Sequence, residues 1–185
     1  MAKPIELNYI RGLIPDSEIV SIRSYLKDHN IAFECHDLSG IPQAAVEDLL
    51  SHVVLFLSSS IMQAYVLGLA TSATYDLIRN TIINIWKHVS GKEVHRISQK
   101  GAQAVPANLD LDIESAHGMR AKFKLQGNIP DSYKLQCVDK AFQLIETDSF
   151  PVNRTGYVCI YDTDQYNWKV YEYLDFVKRF VKPKE

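Results

Sequence analysis

The sequence predicts an α+β protein with an N-terminal βαβαβ-type unit that ends in two consecutive apolar and amphipathic helices. A C-terminal, mostly antiparallel set of β-hairpins with a packing helix follows. Three observations lead there. The stretch Val53–Tyr75 runs 23 residues without a charge and opens on a short apolar run, VVLFL. The residues before it alternate strand-like and helix-like segments. After Gly91 the texture changes to short segments of strict alternation, LDLDIE and MRAKFKL. A boundary at 91 therefore separates a sheet-and-helix unit, 1–91, from an antiparallel α+β unit, 92–185, which together form two parts or one continuous domain.

Pro4–Arg11 reads as a first strand, broken by Gly12, and Pro15-Asp16-Ser17 starts a helix whose inner face is Ile19, Ile22 and Leu26. Ile31–Leu38 is a second strand. Pro42 suits the first turn of a short helix carrying Ala45, Val46, Leu49 and Leu50. Val53–Leu57 is too short for a helix and fits a strand buried on both faces. Ser58-Ser59-Ser60 then offers an N-cap to a helix, Ile61–Ala70, that is apolar nearly all round. From Thr74 the pattern turns amphipathic: Leu77, Ile78, Ile82, Ile85, Trp86 and Val89 make one stripe, and Gly91 ends it.

In the second part Val94–Ser98 is a strand and Gln99–Pro106 the most linker-like segment. Leu109–Glu114 and Met119–Leu125 are strands, and Asp131–Glu146 is a helix with Leu135, Val138, Phe142 and Ile145 inside. Gly156–Tyr161 and Trp168–Tyr173 make a hairpin around a polar tip, and Leu174–Val181 a closing helix. The register of one hairpin is readable. Folding Leu109–Glu114 onto Arg120–Leu125 around Ala116-His117-Gly118 sets Glu114 opposite Arg120, Asp112 opposite Lys122 and Asp110 opposite Lys124. The other face pairs Ile113 with Ala121, Leu111 with Phe123 and Leu109 with Leu125. The charged face is expected to be wet, so each ion pair should contribute less than about 1 kcal/mol. An echo, Gly12-Leu-Ile-Pro-Asp-Ser17 and Gly127-Asn-Ile-Pro-Asp-Ser132, reads either as a recurring strand-to-helix junction or as a duplicated βα unit.

Composition excludes several functions. Net charge is −2, so nothing global draws the chain to nucleic acid or acidic lipid. The stripe Arg120, Lys122, Lys124 is already neutralised by the neighbouring strand, and no nucleic-acid binding is expected. Three cysteines, widely spaced and without CxxC, argue for a reducing, cytoplasmic setting. Val53–Tyr75 just reaches the length of a bilayer span but carries Ser58, Ser59, Ser60 and Gln63, which favours a buried core over lipid.

No phosphate loop, dinucleotide fingerprint, zinc-protease motif or metal-spaced Cys/His set occurs, so no cofactor and no metal are expected. Cys35-His36-Asp37 is the one catalytic candidate, and a weak one, because neighbours on a strand point to opposite faces. Two oily surfaces stand out instead: the small-residue face with Ala64 and Gly68, and the C-terminal aromatics Tyr161, Trp168 and Tyr171. The function expected is a non-catalytic interaction module, a subunit or accessory of a larger assembly, whose partner is another protein or a second copy. The alternatives are an enzyme with a site at strand ends near Glu34–Asp37 and Ser58–Ser60, and a membrane-associated effector using Val53–Tyr75.

Overall fold

The computed structural model describes residues 5–40, 51–66, 72–98, 101–125, 129–147, 150 and 155–180. The elements are β1 (Ile5–Tyr9), α1 (Asp16–Asp28), β2 (Phe33–Asp37), β3 (Val53–Leu57), α2 (Ser59–Val66), α3 (Ser72–Val89), β4 (Glu93–Ser98), β5 (Gly101–Pro106), β6 (Leu109–Glu114), β7 (Arg120–Leu125), α4 (Asp131–Glu146), β8 (Tyr157–Asp162), β9 (Asn167–Glu172) and α5 (Tyr173–Phe180). The short helix expected from Pro42, and Gly68 to Ala70, lie outside the described residues.

Seven strands form one mixed sheet in the order β2-β1-β3-β6-β7-β8-β9, while β4 and β5 make a separate two-stranded sheet. The pairs β1–β2, β3–β6 and β7–β8 are parallel; β1–β3, β6–β7 and β8–β9 are antiparallel. Val53–Leu57 thus has strands on both sides, as its unbroken apolar run requires. Strands from both sides of residue 91 share this sheet, through β3 and β6, and one continuous core.

Registered partners share a face, which lets the core be traced across the sheet. Cys35, Leu7, Leu55, Leu111, Phe123, Cys159 and Val170 lie in one row on the helical side. Three helices cover that side. Ile19, Ile22 and Leu26 of α1 are buried, as are Leu77, Ile78, Ile82, Ile85, Trp86 and Val89 of α3. From α4 come Cys137, Val138, Ala141, Phe142 and Ile145. Leu135, expected inside, is 38 % exposed, and Lys134 takes a buried place with its ammonium 5.5 Å from the Trp86 ring centre. A long aliphatic stem covers apolar surface well while its cation sits on an aromatic face. The helices are fastened laterally by Arg79, whose guanidinium donates to both oxygens of Asp139, and by Tyr75, whose hydroxyl donates to the same carboxylate. On the opposite face α5 makes a small separate core of Val158 and Phe176.

The two echoing junctions have the same geometry. Pro15 and Pro130 are extended, and their carbonyls accept from Glu18 and Tyr133 at 2.9 Å, so each helix starts at the following Asp. The crossovers they begin do not match. Strands β1, β2, β7 and β8 all run in one direction, β2 lies outward from β1, and β8 lies outward from β7 on the other flank. Both helices pack on the same face, so β1-α1-β2 and β7-α4-β8 have opposite hands. One of them breaks the right-handed rule. A duplicated unit would keep its hand; the echo is a junction used twice.

The β6–β7 register is the one read from the sequence, from Leu109↔Leu125 to Glu114↔Arg120. Ser115 N–H bonds to the Met119 carbonyl at 2.7 Å, leaving Ala116-His117-Gly118 as the loop, with Gly118 at φ +82. Of the linker-like Gln99–Pro106, the described part, Gly101–Pro106, is a strand paired along its whole length with β4. Its small residues carry little strand propensity, and the pairing supplies what propensity does not.

Candidate functional site

The face of the sheet opposite α1, α3 and α4 carries the charged residues of β6 and β7, and its centre is not wet. Asp110 is fully inaccessible and Lys124 is 3 % exposed, with Nζ 3.5 Å from Asp110 Oδ2. The same carboxylate accepts from the Ser51 hydroxyl, while Lys122 Nζ stands 4.0 Å away. Lys124 meets Asp110 straight across, as expected, but the other two contacts are diagonal: Lys122 leans to Asp110, and Arg120, expected opposite Glu114, reaches Asp112 at 2.8 Å, its guanidinium 5.1 Å from the Phe56 ring centre. Glu114 instead accepts from the Ser59 N–H at 3.3 Å, at the start of α2. The expectation of exposed, weakly contributing pairs fails here, because alternation assigns a face but not what lies over it.

Burial changes the chemistry of these groups. Desolvation pushes the Asp112 carboxyl above its ordinary range, and the charges of Arg120 and Lys122 pull it back only in part. Asp110 Oδ1 and Lys124 Nζ are buried without a hydrogen bond. An ion pair like this holds a unique arrangement only while both partners are present. Its inaccessibility gives a substrate no direct approach to either group.

The side chains of Cys35, His36 and Asp37 point to different partners and do not converge. Cys35 faces the helices and its sulfur accepts from the Arg23 guanidinium. His36 is exposed on the other face, 3.9 Å from Glu34. Asp37 accepts from the Ser39 N–H at 2.9 Å and pairs with Arg11 at 3.0 Å. Those hydrogen bonds from Ser39, and the Arg11 charge after them, hold its carboxyl below the usual range. The strand-end segments do not converge either. Tyr9 registers with both Asp37 and Val53, at one end of the sheet, whereas Ser58–Ser60 follow Leu57 at the other. His52 finds a structural partner: its N–H donates to Asn108 Oδ1 at 2.8 Å, and its ring nitrogen accepts from the Asn108 N–H at 3.3 Å.

Burial disfavours the thiolate form of the two core cysteines. Burial raises the Cys137 thiol and pushes Cys159 up to about 12. Among the described residues no group of three His, Cys, Asp or Glu side chains could hold a metal ion. A groove of about 410 Å³ lies between the end of α3 and the base of the β4–β5 hairpin, with Trp86, Val89, Ser90, Pro106, Ala107 and Leu125 in its wall. Lys92, also in that wall, spends its ammonium on the carbonyls of Gly12 and Leu13, at 3.1 and 2.8 Å.

Of the expected interaction residues, Tyr161 and Trp168 are core: they are 8 % and 5 % exposed, and the Trp168 indole donates to the Cys137 carbonyl at 3.0 Å. An aromatic cluster in the sequence could not distinguish a surface from a core, and these two belong to the core. Tyr171 is half-buried against Phe176 and Phe180. Ala64 is half-buried on α2, and Gly68 lies outside the described residues. Several exposed apolar side chains are neighbours of these: Val170 on β9, Tyr173, Leu174 and Phe180 on α5, and Tyr133 stacked on Tyr166 at 5.0 Å; Val20 and Tyr25 of α1 are exposed as well, away from this flank. Val170 sits on the core side of the sheet and is still 41 % exposed, because β9 is the last strand. Edge position is a property of strand order, which no local pattern reports. No protein-family model, no curated protein and no solved structure matches this chain.

Proposed function

We propose that the chain is a non-catalytic protein-interaction module, a subunit or accessory of a larger assembly, whose docking surface is the C-terminal flank of the sheet. The observation that carries this reading is the exposure of Val170 at 41 %, Leu174 at 53 % and Phe180 at 45 % beside the strand that, among the described residues, ends the sheet. Apolar side chains concentrated at one flank mark a contact surface more often than singly scattered ones do. A free strand edge adds unpaired backbone groups that a partner strand can satisfy.

The competing readings have less behind them. An enzymatic site at the strand ends lacks converging side chains, and Asp110 and Lys124 on the charged face are buried against each other. For a lipid-bound effector, Val53–Tyr75 contributes a strand and parts of two helices, and among the described residues no helix is long and apolar enough to cross a membrane. The basic stripe of β7 is engaged with Asp110 and Asp112, which supports a chain without affinity for nucleic acid. Three free cysteines suit a reducing, cytoplasmic setting.

The test is to isolate the untagged protein from its own cells and identify stoichiometric companions. A companion retained by the native chain and lost on Leu174→Asp or Val170→Asp, with the fold intact, supports the reading. A companion that ignores both substitutions places the contact elsewhere.

A further inference from the structure

We propose that the β4–β5 hairpin is completed by a second copy of the chain, whose β5 pairs antiparallel with β5 across a two-fold axis. The result is a four-stranded sheet in the order β4-β5-β5-β4. This surface is separate from the C-terminal flank, and the two can fail independently.

The hairpin's environment is the first reason. It has six registered residue pairs and shares no sheet with the seven-stranded body. Gly101, Ala102, Gln103, Ala104 and Pro106 are all exposed, and only Val105 is half-buried on that strand. An isolated two-stranded hairpin is marginal in water; a third strand or a packed face is what makes it stable.

The second reason is a difference between its two free edges. Soluble proteins guard an open edge with charges, proline or irregularity. Strand β4 carries Glu93, His95 and Arg96 within its six residues. Strand β5, GAQAVP, carries no charge, and its proline comes only at the end. The edge from Ala102 to Val105 is therefore unguarded.

The occupant follows from charge. A strand that pairs with itself across a two-fold axis sets the residue at the axis opposite its own copy and the residues on either side of it opposite each other, so a charge near the axis lies close to a like charge. Strand β5 meets that condition by having none, and β4 does not. In an antiparallel pair the residues opposite each other share a face, so the axis passes through a residue. Gln103 and Ala104, at the middle of the strand, are the two candidates. Their short or neutral side chains leave room for the partner backbone.

Sedimentation velocity of the full chain at micromolar concentration should show a dimer. Ala104→Lys and Gln103→Lys, both at exposed positions, should each weaken it by about tenfold or more, with the far-UV spectrum unchanged. Single cysteines placed in turn at positions 102 to 105, in a Cys35→Ser background, provide the register. Directly opposed residues lie about 4.5–5.5 Å apart at Cα, within disulfide range, so oxidised dimer should peak at 103 or 104 and fall at its neighbours. A chain that stays monomeric overturns the proposal. So does a dimer indifferent to both lysines, or cross-linking without a maximum in β5. A different protein seated on β5 in place of the second copy overturns it as well.

Discussion

The molecule contains two antiparallel pairs of six residues each, β6–β7 and β4–β5, and they have little else in common. In β6–β7 every apolar residue is buried and even the charged face is closed at its centre, with Asp110 inaccessible, although Arg120 at its rim is exposed. In β4–β5 nearly the whole outer strand faces water. The first pair is held by its place in the middle of a seven-stranded sheet, with β3 on one side and β8 on the other. Among the described residues, the second has no strand at either edge. Strand pairing alone therefore contributes little here; stability resides in what covers the pair.

Four experiments bear on that contrast. The largest effect is expected from Asp110→Ala, which leaves Lys124 buried without its counter-ion. Removing one partner of a buried pair costs about 3–5 kcal/mol, measurable as a fall in the urea midpoint. Replacing both, as Asp110→Leu with Lys124→Met, should recover most of that loss. If the single variant costs no more than an exposed pair would, the charged face of β6–β7 is wet after all.

Leu111→Ala should follow, at about 2–5 kcal/mol for a large-to-small change in the middle of the core row. The matched change in the free hairpin, Ala104→Gln, should stay within about 0.5 kcal/mol under dilute, monomeric conditions. Equal effects at the two sites would erase the contrast.

Gly156→Ala probes the boundary of the central sheet. Gly156 has φ +79, and a Cβ there would stand 2.9 Å from the Arg120 carbonyl oxygen. Gly118 has φ +82 but open space around it. The first substitution should cost more than the second, whose cost is the backbone term alone, about 1 kcal/mol. Denaturant titration of the two alanine variants reads the difference.

The smallest effect is in pH dependence. The Asp112 carboxyl is raised above 3.8, so the folded state holds that proton more tightly than the unfolded chain does. Its contribution is fully present below about pH 4 and is lost as the pH rises through the folded value. Stability measured against Asp112→Asn should therefore slope downward for the wild type over that window. A flat difference would mean that Arg120 fully offsets the burial.

Much of this architecture is legible in the residues themselves. Period-two alternation and the need to match charges set the β6–β7 register without ambiguity, because a slip by one residue would turn every leucine outward. The amphipathic stripe of α3 and the Pro-Asp starts of α1 and α4 are equally local, since caps and helical faces are decided within a turn or two of chain. Other features belong to the tertiary structure alone. Leu135 and Lys134 exchange places because Trp86, far away in sequence, offers the lysine a ring to rest on. Trp168 and Tyr161 are core because α4 packs over them, and Val170 is exposed because β9 lies at the edge of the described sheet. The wet-face expectation for Asp110 failed for the same reason. A sequence states which side chains share a face, from its period, but which face is covered depends on strand order and on segments that meet only when the chain has folded.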